Sequence, residues 1–385
     1  MNKKKIIFIL PSDKYLGGIY HDTITTALKM DKYMNVKIIS FKDQYPNRLY
    51  PGFSKNSKLT SYKLSNKNEI IKWFDFNTWR IAAKSIIDEA DIVYIPYWTF
   101  FLAPIVLYIA FKSKKGDVKV IIDFHNIFDH DSGMTKRYIS LFFLKRIAKN
   151  SDLNIFHSKN TYQVFKKTIR KNSNSLIIPL GALDNIERLE NPSKLYEIYN
   201  LSKNTNYILM FGMVRKYKGL KYAIKAMKYL KMHYNSNYKL LIVGEIWQDI
   251  SEELDIIKKY NLENQVIFID KFIPDSHIIP FFKISKLIIY PYLSATQSGS
   301  IRFAFRCKKP IIATKVGQFK EILKNKENAI LISSKKPKEL ANAIIELNEN
   351  EILANKISKK GNEYYKTYFS SDKIIKDILY EIRNF

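Results

Sequence analysis

Short apolar runs, closed by glycine or polar turns, recur along the whole chain. Residues 5–10, 36–40, 91–95, 118–124 and 152–156 in the first half read as buried strands. So do residues 207–211, 239–244, 266–269 and 287–292 in the second. Runs of this length with little alternation fit strands covered on both faces. Between them the apolar period changes to that of a helix. In 220–230, Leu220, Ala223, Ile224, Met227 and Leu230 fall on one face. Helices are also predicted over 19–33, from near Pro104, over 301–307, from Glu339 onward and over 373–383. Ser370, Ser371 and Asp372 offer an N-cap for the last of these. Strands alternating with helices make this an α/β chain, and 385 residues predict two domains. The stretch 43–79 is rich in Tyr, Asn and Lys and weakly periodic. It reads as an irregular insertion with strands.

Residues 92–111 carry no charge over twenty positions, which is long enough to span a bilayer. Pro96 and Pro104 interrupt the run, so a strand, a loop and a helix opening near Pro104 fit better. Two placements stay open for Tyr97, Trp98, Phe100 and Phe101. Packing in a core is the preferred placement, and the alternative is a membrane interface with Lys112, Lys114 and Lys115 at the headgroups.

Charge adds a class of partner. The net charge of +28 favours anions: nucleoside diphosphates, acidic lipid surfaces or nucleic acid. The competing explanation is an AT-rich genome, since the Lys, Asn, Ile and Tyr usage is spread along the whole chain. No nucleic-acid motif or basic stripe is visible in the sequence, so nucleic acid ranks last and is not expected as a partner. The single cysteine, Cys307, excludes a disulfide framework. Lys3 to Lys5 precede only five apolar residues, too few for a secretory leader, so a cytoplasmic location is expected.

Candidate chemistry sits in the turns after strands. After 207–211, Gly212 opens a loop with Arg215, Lys216 and Lys218, and Gly219 closes it before a helix. Helix N-termini attract anions, and more than one cation in a single loop suits more than one phosphate; an ordinary solvated turn is an equal alternative. Ser294-Ala295-Thr296-Gln297-Ser298-Gly299-Ser300 is a second small-residue loop feeding a helix. Gly17-Gly18 lies at the first strand–helix turn. Gly244 and Ile273 lie in loops that either bracket a nucleotide base or are plain connections. His125 ends the strand 118–124, where doubly wound sheets hold ligands. Asp129, His130 and Asp131 follow, with nothing to set a metal geometry, and no metal is expected.

These motifs carry a resemblance. Phe211, Gly212, Arg215, Tyr217, Lys218 and Gly219 are similar to the donor loop of retaining, nucleotide-sugar-dependent glycosyltransferases of family 4. The SATQSG string and residues 310–316 resemble one branch of that family. The resemblance implies two Rossmann-like, doubly wound parallel-sheet domains facing a cleft, the GT-B fold. It implies an acceptor-side domain over 1–183, a linker over 184–206, a nucleotide-sugar domain over 207–365 and a helix in 366–385 crossing back. It also implies hexose transfer from a nucleoside diphosphate sugar to a glycan or lipid-linked hydroxyl, without a metal or other cofactor. Arg215 and Lys218 would take the diphosphate and His125 the donor sugar. Gly17, Gly18, Gly212, Gly244, Ile273, Gln297, Ser298, Gly299 and Ser300 would line the donor site. No side chain is a convincing nucleophile; in the family the leaving phosphate assists deprotonation of the acceptor. The alternative is a non-catalytic GT-B-like binding subunit. The chain departs from the family pattern at several positions. Phe303 stands where a glutamate normally holds the ribose hydroxyls, and phenylalanine has no acceptor for that task. Leu180, Met213, Ala295 and Lys308 also replace family residues, alanine at 295 being usual for this branch.

Overall fold

The computed structural model describes residues 3–13, 18–46, 67–128, 134–169, 173–181, 191–234, 238–295 and 298–385. The chain divides into two compact units. Unit 1 comprises Met1–Asp184 and Phe369–Phe385, and unit 2 comprises Asn185–Tyr368.

Unit 1 runs β1 (Lys5–Leu10), α1 (Gly18–Met30), β2 (Asn35–Asp43), β3 (Lys67–Lys72), α2 (Phe76–Glu89), β4 (Ile92–Tyr97), α3 (Ala103–Lys115), β5 (Lys119–Phe124), α4 (Met134–Lys149), β6 (Leu153–Phe156), α5 (Lys159–Ile169) and β7 (Ser175–Ile177). Seven parallel strands lie in the order β3-β2-β1-β4-β5-β6-β7. Strand order therefore reverses between β1 and β4. Right-handed crossovers place α1 on one face and α2 to α5 on the other. Beneath α2 to α5, Ile7, Ile9, Val93, Ile95, Val120, Ile122 and Phe124 form one buried core. Their neighbours on the strands, such as Phe8 and Tyr94, stack at 4.7 Å on the α1 face.

Unit 2 runs α6 (Lys194–Ile198), β8 (Asn206–Phe211), α7 (Leu220–His233), β9 (Tyr238–Val243), α8 (Ser251–Lys259), β10 (Val266–Ile269), α9 (Asp275–Ile284), β11 (Ser285–Tyr290), α10 (Ile301–Arg306), β12 (Ile311–Thr314), α11 (Phe319–Ile322), β13 (Ile330–Ile332), α12 (Pro337–Glu349) and α13 (Glu351–Tyr368). Its six parallel strands are ordered β10-β9-β8-β11-β12-β13, reversing between β8 and β11. A last helix, α14 (Ser371–Arg383), returns to unit 1 and packs on α1. Ser370 caps it by accepting a hydrogen bond from the Lys373 N–H. The two sheets are the doubly wound parallel α/β architecture expected of a GT-B chain.

Two readings change. Residues 76–79, assigned to the irregular insertion, open α2, because Asp75 caps the Asn77 N–H and starts a helix there. Residues 47–66 of that insertion lie outside the described residues. The stretch 194–198, read as linker, is the helix α6, anchored by buried Leu195. The aromatic run 97–101 is core, the placement the sequence favours, and not a membrane edge. Tyr97 and Trp98 are buried, Trp98 donates to the Tyr45 hydroxyl at 2.5 Å, and Phe100 and Phe101 pack on the same core.

Candidate functional site

The strand-order reversal of unit 2 sets the loops after β8 and β11 side by side. Ligands in open α/β sheets bind at such switch points. These are the two loops the sequence singles out. Gly212 (φ +94°) and Gly219 (φ +75°) occupy backbone conformations that side chains strain. A Cβ at Gly219 would also lie 2.1 Å from the Pro291 carbonyl, so only glycine lets the first loop touch the second. The Leu293 N–H donates to the Tyr217 carbonyl at 2.6 Å and ties them further.

Lys218 is turned inward. It is 7% exposed, and its Nζ donates to the Phe211 carbonyl at 3.3 Å. Among the described residues no carboxylate lies within ion-pair distance of it. Burial, and then the nearby Arg215 guanidinium, push its ammonium down to about 7. Arg215 lies over the Trp247 ring at 5.0 Å. A parallel bridge between Val214 and Ile246 holds Trp247 there by extending the β8–β9 pairing past Gly212 and Gly244. Two cations thus converge in the loop after β8.

The second loop is held by residues after β12. Gln318 accepts from the Ser298 N–H at 3.1 Å and donates its own N–H to the Ala295 carbonyl at 3.0 Å. A Cβ on Gly317 (φ +46°) would lie 1.6 Å from that carbonyl oxygen. The Ser298 and Ser300 hydroxyls are 3.3 Å apart. Arg302 is wholly buried, and its Nε donates to the Gly299 carbonyl at 3.2 Å. Gly299 and Ser300 are half-buried and lead into α10, a helix of six residues. Phe303 is buried between Phe282 at 5.4 Å and Phe211 at 6.4 Å. Position 303 therefore faces core, not ligand.

The remaining predicted residues are spread more widely. Gly244 (φ +128°) packs on Gly212, with the Gly212 carbonyl carbon 2.8 Å from the place of its Cβ. Ile273 is buried in the loop after β10. Gly18 begins α1 in unit 1. Gly17, Gln297, Asp129, His130 and Asp131 lie outside the described residues.

His125 lies at the end of β5, where it joins a polar cluster that sequence reading missed. β5 and β6 pair with Phe124 opposite Phe156, so His125 and His157 emerge as neighbours, ring centroids 4.6 Å apart. Asp123 lies between them. Its Oδ1 is 2.7 Å from His157 Nε2, and its Oδ2 is 3.1 Å from His125 Nε2. The Tyr94 hydroxyl donates to Oδ2 at 2.7 Å. Burial opposes the Asp123 charge, but His157 and His125 outweigh it and hold the carboxyl far below its usual range. Burial likewise opposes a charged His157, yet Asp123 lifts it to about 9. The His157 Nδ1 lies 3.2 Å from the Ile178 carbonyl, and Asp22 on α1 accepts from the Gly181 N–H at 2.8 Å. Candidate ligand atoms of Asp22, Asp123, His125 and His157 fall within 4.8 Å of one another, a set able to hold a metal ion. Both carboxylate oxygens of Asp123 face a ring nitrogen, Oδ1 that of His157 and Oδ2 that of His125. The signal in the sequence was the pair of strands ending Phe-His, 124–125 and 156–157.

Against known proteins, the second unit is recognisable. Residues 193–364 match the family Glycosyl transferases group 1. An uncharacterised glycosyltransferase of Methanocaldococcus jannaschii is 25% identical over 97% of this chain and 96% of its own length. Among solved structures, HepE of Anabaena in complex with UDP and glucose superposes with a TM-score of 0.76 at 18% identity, covering 99% of this chain and all of that one. Sucrose-phosphate synthase of Thermosynechococcus elongatus gives 0.73 at 16% identity, covering 99% of each. These two share the fold of this chain.

Proposed function

We propose that this protein is a retaining glycosyltransferase that moves a hexose from a nucleoside diphosphate sugar to an acceptor hydroxyl on a glycan or lipid-linked chain. The observation that carries the reading is Lys218, a buried ammonium without a carboxylate partner among the described residues, beside Arg215 at the switch point of unit 2. A diphosphate is the counter-ion this pair suits. Negative charge grows on the leaving diphosphate as the glycosidic bond breaks, so fixed cations there stabilise the transition state more than the ground state. They also make a metal unnecessary for that task. No nucleophilic side chain is assigned, and a leaving phosphate oxygen takes the acceptor proton. His125, oriented by Asp123, is the proposed partner of a sugar hydroxyl in unit 1. The loops carrying Gly244 and Ile273 are proposed to bracket the base.

The match to group 1 glycosyltransferases and the fold shared with HepE, itself crystallised with UDP and with UDP-glucose, support this reading. UDP and UDP-glucose are therefore the first ligands to try. In a thermal-shift panel of nucleoside diphosphates and their sugars, a true donor raises the melting temperature in proportion to the logarithm of its concentration. A panel without any such shift would remove the proposal. Phe303, buried where the family carries a ribose-binding glutamate, favours a second reading: a subunit that binds nucleotide without turnover. Release of UDP from UDP-glucose by the purified protein separates the two.

A further inference from the structure

We infer that the outer surface of α3 and α4 in unit 1 docks on an anionic lipid bilayer. The inference stands apart from the reaction proposed for unit 2. α4 has two apolar faces where a helix on a sheet needs one. Leu144, Ile147 and Ala148 point inward and are buried. On the outside, Tyr138 is 74% exposed, Phe142 50% and Ile139 46%. Phe142 lies one helical turn from both Tyr138 and Ile139, and the three form a second apolar stripe that no described residue of unit 1 covers.

Cations frame the stripe. Arg137, Lys145, Arg146 and Lys149 are exposed, and no Asp or Glu occurs from 134 to 149. The Arg146 guanidinium lies 4.3 Å from the centre of the Phe142 ring. α3 packs beside α4 and repeats the pattern. Phe111 is exposed, Lys115 Nζ is 4.8 Å from its ring, and residues 103–115 contain no acid. Among the described residues, Lys114 alone of these cations is paired, with Asp152. On the next helix, α2, Asp88 and Glu89 close the basic field.

Aromatic rings interleaved with unpaired cations match the chemistry of a bilayer interface. Rings sit at headgroup depth and cations meet lipid phosphates. Nucleic acid would use the cations but not Ile139 and Phe142 at helical spacing. No described helix is long and apolar enough to cross a membrane, so the surface lies on the bilayer rather than through it.

Co-sedimentation of the full chain with vesicles tests this. The protein should bind phosphatidylcholine vesicles containing phosphatidylglycerol, release with salt, and ignore pure phosphatidylcholine. Lys145→Glu with Arg146→Glu should weaken binding more than about 20-fold, since each cation is worth about fivefold. Tyr138→Ser with Phe142→Ser should also weaken it, at an unchanged melting temperature because both rings are exposed. Lys356→Glu with Lys359→Glu, exposed on α13, makes the same charge change and should bind like the wild type. An equal loss in that control would mean that net charge alone drives binding and would overturn the assignment. So would absence of binding, equal binding to neutral vesicles, or residues of this patch binding nucleic acid but no vesicles.

Discussion

Lys218 is the residue on which the proposed chemistry turns. Replacing it with Ala should cost nucleoside diphosphate binding about 1.5–3 kcal/mol while leaving nucleoside binding unchanged, because only the phosphates meet the cation. Titration calorimetry with UDP and uridine checks this; equal losses would sink the role. Its ammonium sits near 7 in the free protein, and a bound anion must raise it. UDP binding at pH 8 should therefore take up protons, and calorimetry in buffers of different ionisation heat counts them. Phe303→Glu should lower the melting temperature without gain in UDP affinity, since the carboxylate would be buried among Phe211 and Phe282. A rise in affinity would show that the side chain reaches nucleotide after all. The Asp123 cluster gives a pH signature. His157, ordinarily near 6.5 and lifted to about 9, contributes stability that is complete below about 6.5 and is lost as pH rises through 9. Asp123, held low, contributes stability above about 4 that is lost as pH falls through its depressed value. Asp123→Asn should cost about 3–5 kcal/mol at neutral pH by leaving buried imidazolium unpaired, measured by urea unfolding. A cost under about 1 kcal/mol would show that the cluster is not charged.

At the scale of elements, the two loops of the proposed donor site are shaped largely by close contacts between backbones. Gly219 meets Pro291, and Gly317 meets Ala295, in both cases closer than any Cβ allows. Gly317→Ala should push the loop after β11 away from Gln318 and weaken UDP binding about tenfold or more, as loss of one positioned hydrogen bond with added backbone strain implies. Calorimetry beside a thermal melt checks it; unchanged affinity would mean that this loop does not hold the diphosphate. The pattern of glycines and small residues was readable in the chain. The partner of each glycine was not, because Pro291 and Gly219 meet only after β8 and β11 become neighbours. The short helix α10 shows the same limit. Its apolar positions marked a helix, but not which side chain faces core.

For the whole molecule, the chain crosses from unit 1 to unit 2 and returns. Truncation after Tyr368 removes α14, whose Ile374, Ile375, Ile378 and Ile382 are buried. Burying such side chains contributes about 1.5–3 kcal/mol each, comparable with the net stability of a domain, so unit 1 should melt early or fail to fold. Calorimetry of the shortened chain should show a lost or lowered transition; two unchanged transitions would mean that the return of α14 is dispensable.

Periodicity alone placed most strands within two residues and marked both loops of the proposed donor site, since burial on two faces and glycine-rich turns leave local signatures. Local pattern also carried the final helix, because Ser370 caps it and its isoleucines keep one face. Neither the meeting of His125, Asp123 and His157 nor the gathering of cations on α3 and α4 has such a signature. Both depend on strand order and on the side of the sheet each helix covers, which bring residues 20 to 40 positions apart into contact. The aromatic run 97–101 makes the same point in reverse. As a sequence it favoured a core over a membrane edge, and the packing of Tyr97 and Trp98 under α2 and α3 bears that out.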